Sequence, residues 1–99
     1  MKTQRVENMT SDRGNKIANQ FIISEYDDNG DLLRQTFQSY DSTIAIREGY
    51  NGTVTLDAYY WDYSKTTLKY LKLFLNTSQS KEQIRKAIEA GEYKTASLN

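Results

Sequence analysis

The sequence predicts an α+β domain: a four-stranded antiparallel meander of two hairpins, followed by two helices packed on one face of the sheet. Two Asn-Gly steps, Asn29-Gly30 and Asn51-Gly52, each divide runs rich in alternating apolar residues, which is the pattern of a hairpin. Beyond Tyr60 the apolar period changes from two to the three-and-four spacing of a helix. Strands grouped before helices are the α+β signature, and 99 residues suit one domain.

Residues 1–18 hold Val6 and Ile17 as their only β-branched aliphatics and show no sustained period. They are expected to form a flexible arm, with residues 19–99 as the single folded domain. In the first hairpin a two-residue turn at Asn29-Gly30 sets Ile22 opposite Phe37, Ser24 opposite Gln35 and Tyr26 opposite Leu33. The other face then pairs Glu25 with Arg34. The acidic run Asp27–Asp31 lacks the glycine position and distant Glu of a calcium loop, so it reads as a solvated turn.

The second hairpin needs a wider loop, Tyr50-Asn51-Gly52 with Gly52 left-handed, to bring Ile46 opposite Leu56, Ile44 opposite Ala58 and Glu48 opposite Val54. Arg47 with Thr55, and Ala45 with Asp57, then take the outer face. The link Gln38–Ser42 joins the two hairpins. A first helix over residues 64–75 buries Leu68, Leu71 and Leu75, with Asp62 or Ser64 as its cap. A second runs from about Lys81 to Ala90, opened by a Ser80/Gln83 capping box and stopped by Gly91; Ile84, Ala87 and Ile88 are its buried stripe. The tail from Glu92 offers one further edge strand through Tyr93, or frays.

Composition narrows the function classes. Thirteen basic and thirteen acidic residues cancel, which speaks against a strongly basic nucleic-acid coat. There is no Cys and no His, so thiolate nucleophiles, Cys and His metal sites and the commonest general base are missing. The glycines are accounted for by turns and a cap rather than a phosphate loop, and Ser64-Lys65 diverge on a helix and form no dyad. Asp57 and Asp62 are the one carboxylate pair to weigh, on a sheet that promises no cleft. The reading is therefore not an enzyme, with no cofactor and no metal. No apolar run reaches the roughly 18 residues of a membrane span, and the N-terminus has no signal-like apolar region, so a cytoplasmic setting is expected.

Charge is nonetheless segregated: net +2 over residues 1–20, −6 over 21–63 and +4 over 64–99. Lys65, Lys69 and Lys72 form one stripe on the first helix, beside the rings of Tyr59-Tyr60-Trp61-Asp62-Tyr63. Trp61 and one of Tyr59 and Tyr60 are expected mainly in the core. The candidate partner-binding residues are Tyr63, Lys65, Lys69, Lys72 and Trp61. Rings and lysines together suit a protein hot spot, or single-stranded nucleic acid held by phosphate contacts and base stacking. The leading expectation is a protein partner; self-association through an edge strand such as 21–27 is a further one.

The block Tyr59–Asn76, YYWDYSKTTLKYLKLFLN, with FQSYDSTIAI at Phe37–Ile46 and the closing Gly91-Glu92-Tyr93, resembles a family of short proteins encoded by bacteriophages and plasmids of Gram-positive bacteria. The similarity spans roughly residues 18–97 and leaves the N-terminal arm outside. That family carries no assigned activity, so no catalytic residue is transferred. The resemblance implies a viral or mobile-element origin, a bacterial host cytoplasm and an accessory role, such as counteracting host defence.

Overall fold

A computed structural model describes residues 3–99 of the chain. Its elements are β1 (Thr3–Thr10), β2 (Lys16–Tyr26), β3 (Leu32–Ser39), β4 (Ser42–Glu48), β5 (Val54–Asp57), α1 (Lys65–Leu75), α2 (Lys81–Glu89) and β6 (Lys94–Ala96). The fold is α+β, and the sheet is larger than the sequence predicts. Six strands lie in the order β1-β2-β3-β4-β5-β6; the first five are antiparallel neighbours, and β6 returns past both helices to pair parallel with β5.

The additional strands come from the two ends of the chain. Residues 3–18, expected as an arm, form β1, a turn at Ser11–Asn15 and the start of β2; residues 1 and 2 lie outside the described residues. The pairing is a ladder from Thr3↔Tyr26 to Asn8↔Phe21, shifted by a bulge before Thr10↔Lys16. It consequently covers residues 21–26 of the segment 21–27 expected as an open edge. The edges of the sheet are β1 and the three-residue β6.

Hairpin β2–β3 has the predicted register, with Ile22↔Phe37, Ser24↔Gln35 and Glu25↔Arg34, but a different turn. Asp27 and Asp31 close a three-residue loop in which Gly30 alone takes positive φ, at 84°, and a bulge pairs Tyr26 with Leu32 instead of Leu33. The bulge absorbs the odd residue, so the longer loop leaves the apolar face intact. The Asp27 carboxylate accepts from the backbone N–H groups of Asn29 and Asp31, which gives that acid a turn-forming role.

The β4–β5 register differs from the expected one by one residue: Ala45↔Leu56, Ile46↔Thr55 and Arg47↔Val54. The loop holds four residues, Gly49–Gly52, closed between Glu48 and Thr53, and the left-handed residue is Gly49 rather than Gly52. Gly52 is required for another reason, because a Cβ there would stand 2.1 Å from the Glu48 carbonyl oxygen. Upstream, β4 bulges between the pairs Phe37↔Ala45 and Gln38↔Thr43, so Ile44 and Ala45 are both buried despite being adjacent. Arg47 therefore turns toward the helices, and Ile46 faces away from them.

Both helices contribute to the core built on the face of Phe37, Ala45 and Leu56, through Leu71 and Phe74 of α1 and Ile84 of α2. In α1 the buried line is Thr67, Leu71 and Phe74, with Leu68 and Leu75 half-buried beside it, so the helix is rotated from the all-leucine stripe the sequence suggests. Ser64 caps α1 by accepting from Thr67 N–H, leaving Asp62 for ion pairing. Asn76, left-handed at φ 55°, ends it, with Thr77 N–H bonded to the Lys72 carbonyl and Asn76 N–H to that of Leu73. The α2 capping box forms as expected, and Gly91 at φ 83° closes the helix with the same pair of reverse bonds.

Candidate functional site

The helical roof is narrower than the sheet. Helix α1 lies mainly over β3 and β4. On the inward side of β1–β2, Met9, Gln20 and Ser24 are buried, whereas Ile17 and Ile22 are only partly covered and Arg5 and Glu7 are exposed. Two depressions adjoin along this partly covered flank and meet at Leu73, which is 49% exposed. The first, of about 520 Å³, runs between the β1–β2 turn and α1, with Ser11, Asp12 and Ile17 on one wall and Leu68, Tyr70 and Leu73 on the other. Lys65, Lys69 and Lys72 also line it, against a single acid, Asp12.

The second depression, about 510 Å³, lies over β1, β2 and β3 and is more polar. Ile22, Ser24, Gln35 and Arg47 form its floor, Glu7 its outer wall and Phe74 its α1 side. Arg47 donates from Nη1 to the Phe74 carbonyl (2.8 Å) and from Nη2 to Gln35 Oε1 (2.9 Å), and its guanidinium stacks 4.4 Å from the Phe74 ring centre. Its Nε is sealed from solvent without a partner, and burial lowers the pKa of the group.

The lysines expected as a stripe are thus brought together, in a cleft where Tyr70, 5.3 Å from Lys69 Nζ, is the only ring among the described residues. The other rings sit elsewhere. Tyr59, Tyr60 and Tyr63 pack on one another at 4.8–5.9 Å between centres, and Tyr60 and Tyr63 border a separate small depression with Tyr40 and Ser39. Tyr63 is exposed and Trp61 is core, both as expected; at 6% exposure beneath the Arg85 guanidinium, Trp61 does not belong with the candidate partner-binding residues. Sequence reasoning did not single out Ile17, Tyr70, Leu73 or Arg47. An apolar Leu73 beside lysines on the wet side of α1 is the one signal that marks the cleft.

The weighed carboxylate pair does not form. Asp57, 2% exposed, receives the N–H groups of Tyr59, Tyr60 and Leu98 and the Asn99 amide, while Asp62 faces Arg85 and Lys81. Burial raises the Asp57 pKa, but these hydrogen bonds outweigh it and hold the carboxyl below its ordinary range. Among the described residues no three His, Cys, Asp or Glu side chains group as metal ligands, and no helix is long and apolar enough to cross a membrane.

Residues 4–90 match a family model described as a family of unknown function (DUF8033). The chain belongs to this family. No curated protein and no solved structure matches it. The match takes in β1, which the resemblance leaves outside, and stops before Gly91-Glu92-Tyr93.

The residues that carry the sequence resemblance have structural work. Trp61 is core, Asp62 pairs with α2 and Ser64 caps α1. Buried Thr67 accepts from the Ser64 hydroxyl (3.0 Å) and lies 3.5 Å from the hydroxyl of Ser39, so it ties the helix start to the Phe37–Ile46 segment.

Proposed function

We propose that this protein is a non-enzymatic binding module whose partner is another protein, and that the cleft between α1 and β1–β2 seats an amphipathic helix bearing acidic residues. The observation that carries the reading is the open groove that the two adjoining depressions form between α1 and β1–β2. Packed helices stand about 8–10 Å apart. Two strand spacings are about 9.6 Å. A helix laid against α1, which covers β3 and β4, therefore comes to rest over β1 and β2. Ile17, Ile22, Leu68 and Leu73 supply its apolar seat, and Lys65, Lys69 and Lys72 supply the charge that selects an acidic flank.

The likeness of residues 37–46 and 59–76 to phage and plasmid proteins supports a role inside a bacterial host, with a host or phage protein as the target. Occupying such a target, for example to counteract host defence, needs no catalytic group of its own. Single-stranded nucleic acid is the weaker reading, because the exposed tyrosines that would stack bases lie apart from the lysine cleft.

The test is capture of partners from host lysate by wild type and by Lys65→Glu/Lys69→Glu/Lys72→Glu, with crosslinks mapped by mass spectrometry. The expected result is a protein crosslinked at these lysines and lost in the charge-reversed variant, whose circular dichroism is unchanged. Capture indifferent to charge reversal rejects the cleft. A mixed-sequence oligonucleotide bound with a steep salt dependence, and not by the variant, replaces the protein partner with nucleic acid.

A further inference from the structure

We infer that strand β1 pairs two copies of this chain, antiparallel about a two-fold axis at Val6. The inference is independent of the cleft's occupant. Strand β1 is the long open edge of the sheet: Thr3–Glu7 are all exposed, whereas the opposite edge, β6, has three residues. Natural sheets blunt such edges with proline, inward charge, shortness or a bulge. Here there is no proline in the chain, and the bulge shown by the described residues of β1 lies beyond Asn8; the inward charges the edge does carry, Arg5 and Glu7, are of opposite sign, so residues 3–8 remain a template for a second copy.

Of the registers centred on Arg5, Val6 and Glu7, the one at Val6 is self-complementary. With Val6 opposite Val6 of the second copy, Arg5 faces Glu7 and Glu7 faces Arg5, while Gln4 faces Asn8. Arg5 and Glu7 lie 3.6 Å apart on their own strand, with side chains 67% and 62% exposed, so the pairing assembles four charges of alternating sign. Moving the axis to Arg5 or to Glu7 sets like charges against each other, which is unfavourable. Moving it between residues opposes Val6 with Glu7 or with Arg5.

The Val6 register also continues a surface. Val6, 60% exposed, begins a cross-strand row Val6–Ile23–Thr36–Ile46–Thr55 on the side away from the helices. An axis perpendicular to the sheet joins this row end to end with that of the second copy, and keeps all four helices on one side. One strand pair buries less than a standard interface, so the dimer is concentration-dependent.

Sedimentation equilibrium over a dilution series, with light scattering, tests the inference on the full chain. Wild type is expected to move from twice the chain mass to the single mass on dilution. Arg5→Glu turns both symmetry-related pairs repulsive and weakens the dimer about tenfold or more. Arg5→Glu/Glu7→Arg restores it, and Val6→Lys abolishes it; these exposed substitutions leave the circular dichroism of the fold unchanged. Wild type that is monomeric up to its solubility limit overturns the inference. A dimer indifferent to both Arg5→Glu and Val6→Lys overturns it equally, since that dimer uses another surface.

Discussion

The guanidinium of Arg47, on β4, lies 4.4 Å from the ring centre of Phe74 and donates to that residue's own carbonyl at 2.8 Å. One side chain thereby fastens the last turn of α1 to the sheet. The position suits a cation, because unsatisfied carbonyls give a helix C-terminus negative character. Arg47→Met keeps the apolar stem but loses the ring contact, the charge and the hydrogen bond. It is expected to destabilise the protein by about 2 kcal/mol in urea denaturation.

Asp57 holds together the end of β5, the Tyr59–Tyr60 turn and the segment at Leu98–Asn99. Its folded pKa is depressed, so its contribution is fully present above the unfolded carboxylate value of about 3.9 and is lost as pH falls through the lower folded value. Asp57→Asn is expected to cost about 1–3 kcal/mol at neutral pH. It also flattens the acid limb of a stability-versus-pH curve, measured by urea unfolding.

Ser64, Thr67 and Ser39 act as one unit at the start of α1. Ser64→Ala removes the cap and is expected to cost about 1 kcal/mol. Thr67→Val retains the shape but leaves the hydroxyls of Ser64 and Ser39 without this partner. Thermal unfolding of the double variant should fall short of the sum of the singles, since both changes break the same bond.

Gly52→Ala separates a close-approach glycine from a turn glycine. The added methyl meets the Glu48 carbonyl at 2.1 Å, so the four-residue loop must open and its Gly52-to-Glu48 hydrogen bond must lengthen. The expected loss exceeds about 2 kcal/mol by chemical denaturation. Gly14→Ala meets no neighbour within 4 Å, and its cost is limited to the strain of a positive φ, about 1 kcal/mol.

Leu73→Ser probes the cleft with little expense to the core, because Leu73 is half exposed. Partner capture should fall at least about tenfold, the effect of removing one central apolar contact. Unfolding should shift by no more than about 0.5 kcal/mol.

What could be read from the residues follows from which faces are covered. Ile22 opposite Phe37 was legible because both point into a buried layer, and a slip would expose them. The capping box at Ser80 and Gln83 was legible because it is local. Strand β1 was not: with no helix above Thr3–Glu7, nothing demands an apolar alternation there, and Val6 is the lone aliphatic. The β4–β5 register escaped because the bulge at Ile44 resets the alternation, and because an inward arginine is explained only by a ring and a carbonyl 27 residues away.

The site was legible in half. The spacing of Lys65, Lys69 and Lys72 placed them together, but adjacency in sequence suggested the wrong neighbours. Tyr60 and Tyr63 belong to a turn that brings them near Tyr40, whereas the lysines meet a hairpin that the sequence does not announce.

The partial roof gives the sheet a hard flank and a soft one. Amides of β3 and β4 lie under α1 and should exchange with solvent only on global unfolding, while those of β1 are released by fluctuations of a single ladder. Any molecule that settles on the soft flank, at the groove or along the rim, would therefore be felt first as a slowing of β1 exchange, before any change of shape.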